Sequence, residues 1–119
     1  MSKTLTFNQQ VWYLTARIPR GRVSTYAELA RACGSPRACR GVGNALNANP
    51  HAPHVPCHRV VRSDGQVGGY ALGTAAKARI LRQEGLQIGP KNKVVNFKKV
   101  LYSGFSKVKT YDRTKTRDS

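Results

Sequence analysis

Apolar side chains recur at helical spacing in three stretches of the amino-terminal half. Phe7, Val11, Trp12 and Leu14 share one side of a segment from about Asn8 to Arg17, which predicts an amphipathic helix. Ile18-Pro19-Arg20-Gly21-Arg22 follows as a basic turn. Tyr26, Leu29, Ala30 and Cys33 fall at i, i+3, i+4 and i+7, one buried stripe of a second helix, so Cys33 reads as a packing residue. Ser24-Thr25 caps that helix, and Glu28, three residues after Thr25, completes a capping box. Gly34-Ser35 breaks it, and Pro36 suits the first turn of a third helix running to about Leu46. That helix turns Ala38, Val42, Ala45 and Leu46 inward and presents Arg37, Arg40, Gly41 and Asn44 on its other face.

Two short helices joined by a glycine-containing turn, the second basic and narrow, make a helix-turn-helix. Glycine inside a helix costs about 1 kcal/mol relative to alanine, so Gly41 and Gly43 need a reason. One reason is close packing against a neighbouring helix. The other is a thin surface through which the backbone approaches DNA, with Arg40 as its one long probe. Gly41-x-Gly43 is not a dinucleotide fingerprint, since no strand precedes it and the third glycine is missing. Downstream, Val60-Val61 reads as the end of a short strand and Ser63-Asp64-Gly65 as a turn. Gly68-Gly69-Tyr70 sets an aromatic ring on permissive backbone, Thr74 caps a helix through about Gln83 closed by Gly85, and Val94 to Tyr102 pairs as a short hairpin.

Charge changes the picture more than composition does. The 119 residues hold 21 Lys and Arg against 5 acids, a net +16, and 39% apolar residues suffice for one small core. Such self-repulsion is best tolerated when the partner is a polyanion, with nucleic acid the first candidate. An anionic membrane surface ranks below it, because no long basic amphipathic helix with aromatic anchors is present. No apolar run reaches a membrane span and no signal-peptide pattern follows the amino terminus, so a soluble, cytoplasmic protein is expected, nucleoid-associated or nuclear according to its source. Residues 91–119 carry nine Lys and Arg against two acids, and beyond about Ser106 the composition is that of a basic tail. We therefore divide the chain into a domain over 1–105 and a tail over 106–119.

Cys33, Cys39 and Cys57 are odd in number and form no CxxC pair, which argues against a disulfide framework or a cysteine-rich zinc site. His51, His54, Cys57 and His58 have ligand chemistry, but Pro50, Pro53 and Pro56 interrupt them, so no metal or other cofactor is expected. Pro56-Cys57-His58-Arg59-Val60 carries the sharpest chemical signal. Proline stiffens the segment on which Cys57 sits. A thiol reacts as its thiolate, and an adjacent imidazole or guanidinium stabilises that anion. The same five residues also fit a half-buried cysteine in a proline-rich loop.

Taken together, Tyr26, Arg40, Asn49-Pro50, Pro56-Cys57-His58-Arg59-Val60, Gly69-Tyr70 and Glu84-Gly85 resemble, in order and spacing, the carboxy-terminal active-site domain of the O6-alkylguanine-DNA alkyltransferases, the methylated-DNA–protein-cysteine methyltransferases. The likeness runs from about Phe7 to Gly85 and includes Ile18-Pro19-x-Gly21 and Leu29-Ala30. It implies a mostly α fold, a small winged helix-turn-helix DNA-binding domain with a short β-hairpin or wing, whose recognition helix enters the minor groove. It further implies that Cys57 accepts the alkyl group from O6 of a flipped guanine, once per molecule. His58 would draw the thiol proton through a water, Glu84 would orient His58, and Tyr26 would protonate the departing guanine. Arg40 would fill the gap left by the flipped nucleotide, with Arg37, Gly41 and Asn44 beside it on the DNA. Asn49 would brace the hinge, and Tyr70, Val55 and Ala71 would form the base pocket.

The implied partner is double-stranded DNA carrying O6-alkylguanine, met by a monomer, with other repair proteins as further partners. Most members of that family carry an amino-terminal domain that this chain does not show before Phe7. Ala71 stands where a hydroxyl can contact the guanine O6, and Leu72 would narrow the pocket. With the partner domain missing, Trp12 or Val11 would lie in a partly open patch. Two further readings compete. One is an alkyltransferase-like protein that flips the lesion and recruits other factors without dealkylating it, and such relatives typically replace the acceptor cysteine. The other, a winged-helix regulator, leaves Pro56 to Val60 unexplained.

Overall fold

Thr6 starts the first helix by a reciprocal pair of hydrogen bonds. Its hydroxyl accepts the Gln9 backbone N–H at 3.1 Å, while the Gln9 side chain accepts the Thr6 N–H at 3.0 Å. This computed structural model describes residues 5–50, 55–70, 72–103 and 105. Helix α1 (Phe7–Thr15) buries Val11 and Leu14 as the periodicity predicts. Helix α2 (Tyr26–Ala32) takes only half of its expected capping box: Thr25 accepts the Glu28 N–H at 3.0 Å, but the Glu28 carboxylate turns outward to Arg31 at 2.7 Å.

Helix α3 (Cys39–Asn47) begins three residues later than its proline suggested. Pro36 and Arg37 form a turn in which the Ala38 N–H donates to the Ser35 carbonyl at 2.8 Å. This leaves Ala38 at the cap position, where it has no side-chain acceptor, and half-buried. Val42, Ala45 and Leu46 do face inward, meeting α1 and α2 in one apolar core with Leu29, Ala30, Cys33, Val60 and Phe105.

Strand β1 (Ser24–Thr25) pairs in parallel with β2 (Val60–Val61), Ser24 opposite Val60 and Thr25 opposite Val61. Helices α2 and α3 form the crossover that a parallel pair requires. Helix α4 (Thr74–Gln83) packs on the other side, where Val23, Val61, Val67, Ala78, Leu81, Leu86, Ile88 and Val94 make a second core. Thr74 is not its cap. Gly73 occupies that position with φ 96°, and the Thr74 hydroxyl donates instead to the Gly68 carbonyl at 3.0 Å.

The expected hairpin from Val94 to Tyr102 does not form. The Val94 N–H donates back to Gly65 O at 2.9 Å and the Val67 N–H to Asn92 O at 2.9 Å, so residues 92–94 run antiparallel to the strand leaving the Ser63-Asp64-Gly65 turn. Phe97–Val100 then closes a short helix, α5, and Leu101 bridges to Val23. The result is a mostly helical, winged helix-turn-helix domain whose wing joins the 62–67 turn to a segment well downstream.

Val11 is fully buried, and Trp12 is not a loose patch residue either. The indole N–H of Trp12 donates to the Ala45 carbonyl at 2.7 Å, in the last turn of α3, a carbonyl that also accepts the Ala48 N–H at 3.2 Å. Trp12→Phe should lower the melting temperature by roughly 4 °C, about 1 kcal/mol, measured by thermal unfolding. The boundary at residue 105 and the tail over 106–119 lie at and beyond the last described residue. No helix among the described residues is long and apolar enough to cross a membrane.

Candidate active site

A single 3-10 turn, Cys57–Arg59, decides which way each side chain of the Pro-Cys-His-Arg segment points. It is held by the Cys57 N–H donating to Val55 O at 2.8 Å and the Arg59 N–H donating to Pro56 O at 2.9 Å. The Asn49 side chain donates to the same Val55 carbonyl at 3.1 Å, tying the turn to the end of α3. Val55 is buried, and its carbonyl accepts from both donors.

Cys57 opens into a cleft of about 620 Å³ whose walls include Tyr26, Arg40, Gly43, Asn44 and Tyr70. Four of the predicted residues besides Cys57 thus meet in one place. Of the other residues expected at the DNA, Arg37 and Gly41 do not. Arg37 is exposed in the turn before α3, outside the cleft wall. Gly41 faces the opposite way: a Cβ there would lie 3.2 Å from the Phe7 ring, so its small size serves the contact with α1. Ala71 lies outside the described residues, as do His51 and His54. Leu72 is 75% exposed and forms no part of the cleft wall. Cys39, Asn47 and Gly69 line the cleft without having been singled out for it.

His58 and Arg59 point inward instead, to Glu84 at the end of α4. The His58 Nε2 lies 2.8 Å from Glu84 Oε2, and Arg59 donates from Nε to Oε1 at 2.9 Å and from a terminal nitrogen to Oε2 at 2.8 Å. Arg59 also donates to the Ile18 carbonyl at 2.8 Å. The guanidinium that the sequence offered to the thiolate is therefore engaged by the carboxylate. Burial alone would raise the Glu84 carboxyl, but hydrogen bonds from Arg59 and His58, and their charges, hold it below its usual value. With Nε2 turned to Glu84, Nδ1 is the His58 nitrogen able to take up a proton.

Lys77 escaped the sequence reading. It lies on the inner side of α4, 1% exposed, with its ammonium donating to Gly69 O at 3.0 Å and 5.8 Å from the centre of the Tyr26 ring. Burial pulls its pKa down to about 8, against the attraction of the Cys57 sulfur. The available signal was its place one turn before Leu81, among Ala76 and Ala78, on the apolar side of a predicted helix. Tyr26 is pushed up by burial and by Cys57, with Arg62 opposing, and Tyr70 by burial and by Cys57. Both phenols therefore keep their protons at neutral pH.

The family model described as 6-O-methylguanine DNA methyltransferase, DNA binding domain, matches residues 6–86. A methylated-DNA–protein-cysteine methyltransferase of Methanosarcina barkeri is 47% identical over 78 residues, 66% of this chain and 49% of that protein. The crystal structure of Mycobacterium tuberculosis OGT in complex with DNA superimposes with TM-score 0.64 at 40% identity, over 69% of this chain and 51% of that one. The structure of S. pombe Atl1 in complex with damaged DNA containing O6-carboxymethylguanine superimposes with TM-score 0.70 at 29% identity, over 85% of this chain and 98% of that one. The chain spans about half or less of the curated relatives it matches.

Proposed function

Because the chain belongs to the 6-O-methylguanine DNA methyltransferase family, we propose that it repairs O6-alkylguanine in duplex DNA by moving the alkyl group to its own Cys57. The observation that carries this reading is the junction at Cys57. Its sulfur opens into a cleft with Tyr26 and Arg40, while the next residue, His58, is fixed from behind by Glu84. In this mechanism the Cys57 thiol gives its proton to His58 Nδ1 through a water. The thiolate then attacks the alkyl carbon, forming the S–C bond as the O6–C bond breaks. Electrons pass to the guanine, which takes a proton from the Tyr26 hydroxyl. The buried Lys77 ammonium favours the anionic sulfur electrostatically. Arg40, exposed on α3, occupies the space of the flipped nucleotide and offsets part of the unstacking cost. The thioether is stable, so each molecule acts once.

The second reading is lesion binding and flipping without dealkylation, with recruitment of other repair factors. It is favoured by the match over 98% of the Atl1 chain. Against it stand Cys57, His58 and Glu84, a complete nucleophile, base and orienting acid. The test is intact-protein mass after incubation with duplex DNA containing O6-methylguanine. We expect a gain of one methyl group per molecule, absent in Cys57→Ala. Tight lesion binding with no gain in mass would establish the second reading.

A further inference from the structure

We propose that the wing is a second DNA-backbone contact, in which Arg62, Lys91 and Lys93 bind the phosphates of the strand leaving the Cys57 cleft. The inference rests on DNA being the partner, but not on alkyl transfer. The ribbon sets the geometry. Residues 92–94 are zipped to 65–67, with Gln66 opposite Lys93. The Lys93 stem crosses the 62–66 turn so closely that a Cβ on Gly65 would lie 3.5 Å from Lys93 Cε. Gly65 itself has φ 89°, so a side chain there is disfavoured by the backbone as well. Arg62 and Lys93 thus project from one rigid element, although 30 positions separate them in the chain.

That element continues the cleft. A groove of about 340 Å³, walled by Arg62, Ser63 and Asp64, shares Tyr26 and Cys39 with the cleft that holds Cys57. A strand passing Tyr26 therefore meets the 62–66 turn next. Charge agrees with the geometry. Residues 86–105 contain Lys91, Lys93, Lys98 and Lys99 and no acid. The one acid in the turn, Asp64, accepts the Gln66 N–H at 2.9 Å and lies 3.5 Å from Arg62, so the wing remains net positive.

The backbone is also unusual here. Lys91, Asn92 and Asn96, with φ of 62°, 56° and 55°, are the non-glycine residues with positive φ among those described. Left-handed geometry at such residues costs on the order of 1 kcal/mol each and persists where surrounding structure, often at a ligand site, demands it. Here two of the three, Lys91 and Asn92, immediately precede Lys93 on the wing. The family match ends at residue 86, so this edge lies beyond the region that defines the family.

The test is binding of the full chain to an undamaged duplex between 50 and 200 mM salt. A phosphate contact contributes about one to the slope of log K against log salt. Lys93→Gln should make the slope shallower by about one, and Arg62→Gln/Lys91→Gln/Lys93→Gln by about two to three. The charge-preserving Arg62→Lys/Lys91→Arg/Lys93→Arg should keep the wild-type slope. A wild-type slope in both neutralised proteins overturns the proposal and leaves an acidic protein as the partner for this charge. Loss of slope in the charge-preserving variant overturns it too, because shape would then be responsible. Undamaged DNA separates this result from the repair reading, which stands or falls on the gain in mass.

Discussion

Glu84→Ala should cost about 3–5 kcal/mol of folding stability, a fall of roughly 12–20 °C in melting temperature. The carboxylate is 6% exposed, while the His58 and Arg59 side chains facing it are 9% and 16% exposed. Removing it strands a guanidinium with the Ile18 carbonyl as its one remaining acceptor among the described residues. An unpaired buried charge is costly because no water replaces the lost partner. Glu84→Gln keeps the shape and one acceptor but not the charge, so it should fall between alanine and the wild type. The wild type also carries an acid signature. Glu84 is held below its ordinary value when folded, so its stabilising contribution is present at neutral pH. That contribution disappears as pH falls through the folded value. Chemical unfolding between pH 3 and 7 should show this loss in the wild type and a flatter profile in Glu84→Ala. Equal profiles would mean the clamp contributes little.

Lys77 should give the opposite pH dependence. In the unfolded chain its amine keeps a proton up to about 10.5, whereas the folded protein releases it near 8. Between those values the unfolded chain binds more protons, so raising pH favours the folded state. Stability should therefore rise from about pH 8 towards pH 10, by on the order of 3 kcal/mol across the full interval. Lys77→Met, an unbranched side chain of similar length, should remove that rise and be the more stable protein at pH 7. On the proposed mechanism its alkyl transfer should also be slower, since the buried cation that favours the Cys57 thiolate is gone. A Lys77→Met protein that still gains stability over this range would assign the effect to another group.

The helices were legible because their apolar residues repeat at 3.6-residue spacing over two turns or more. That periodicity placed Val11, Leu14, Leu29, Ala30, Val42 and Ala45 correctly in the core. Helix ends were less so. The capping box fell at Thr6-Gln9, where glutamine replaces the more familiar glutamate, and Pro36 entered a turn before α3. The wing was expected from the family resemblance and its Ser63-Asp64-Gly65 turn was legible, but its second edge was not. Its two edges are distant in sequence, and Val94-Val95 pairs both with Gln87-Ile88 just upstream and, through the Val94 N–H, with Gly65 on the distant edge. In the site, Tyr26, Arg40, Asn44 and Tyr70 line the cleft with Cys57, but direction depended on local backbone. The 3-10 turn sends Arg59 to Glu84, and the phase of α3 turns Gly41 to Phe7 while Gly43 faces the cleft. Lys77 was missed because a lysine on a helix is normally solvated.

The two-residue parallel ladder has a mechanical consequence. Thr25 is followed at once by Tyr26, and Val60 comes directly after the turn that carries Cys57. Pairing Ser24 with Val60 and Thr25 with Val61 therefore sets the spacing of phenol and sulfur through backbone, not through side-chain packing. A residue inserted between Thr25 and Tyr26, or between Arg59 and Val60, would alter that spacing by up to about 3.3 Å per position.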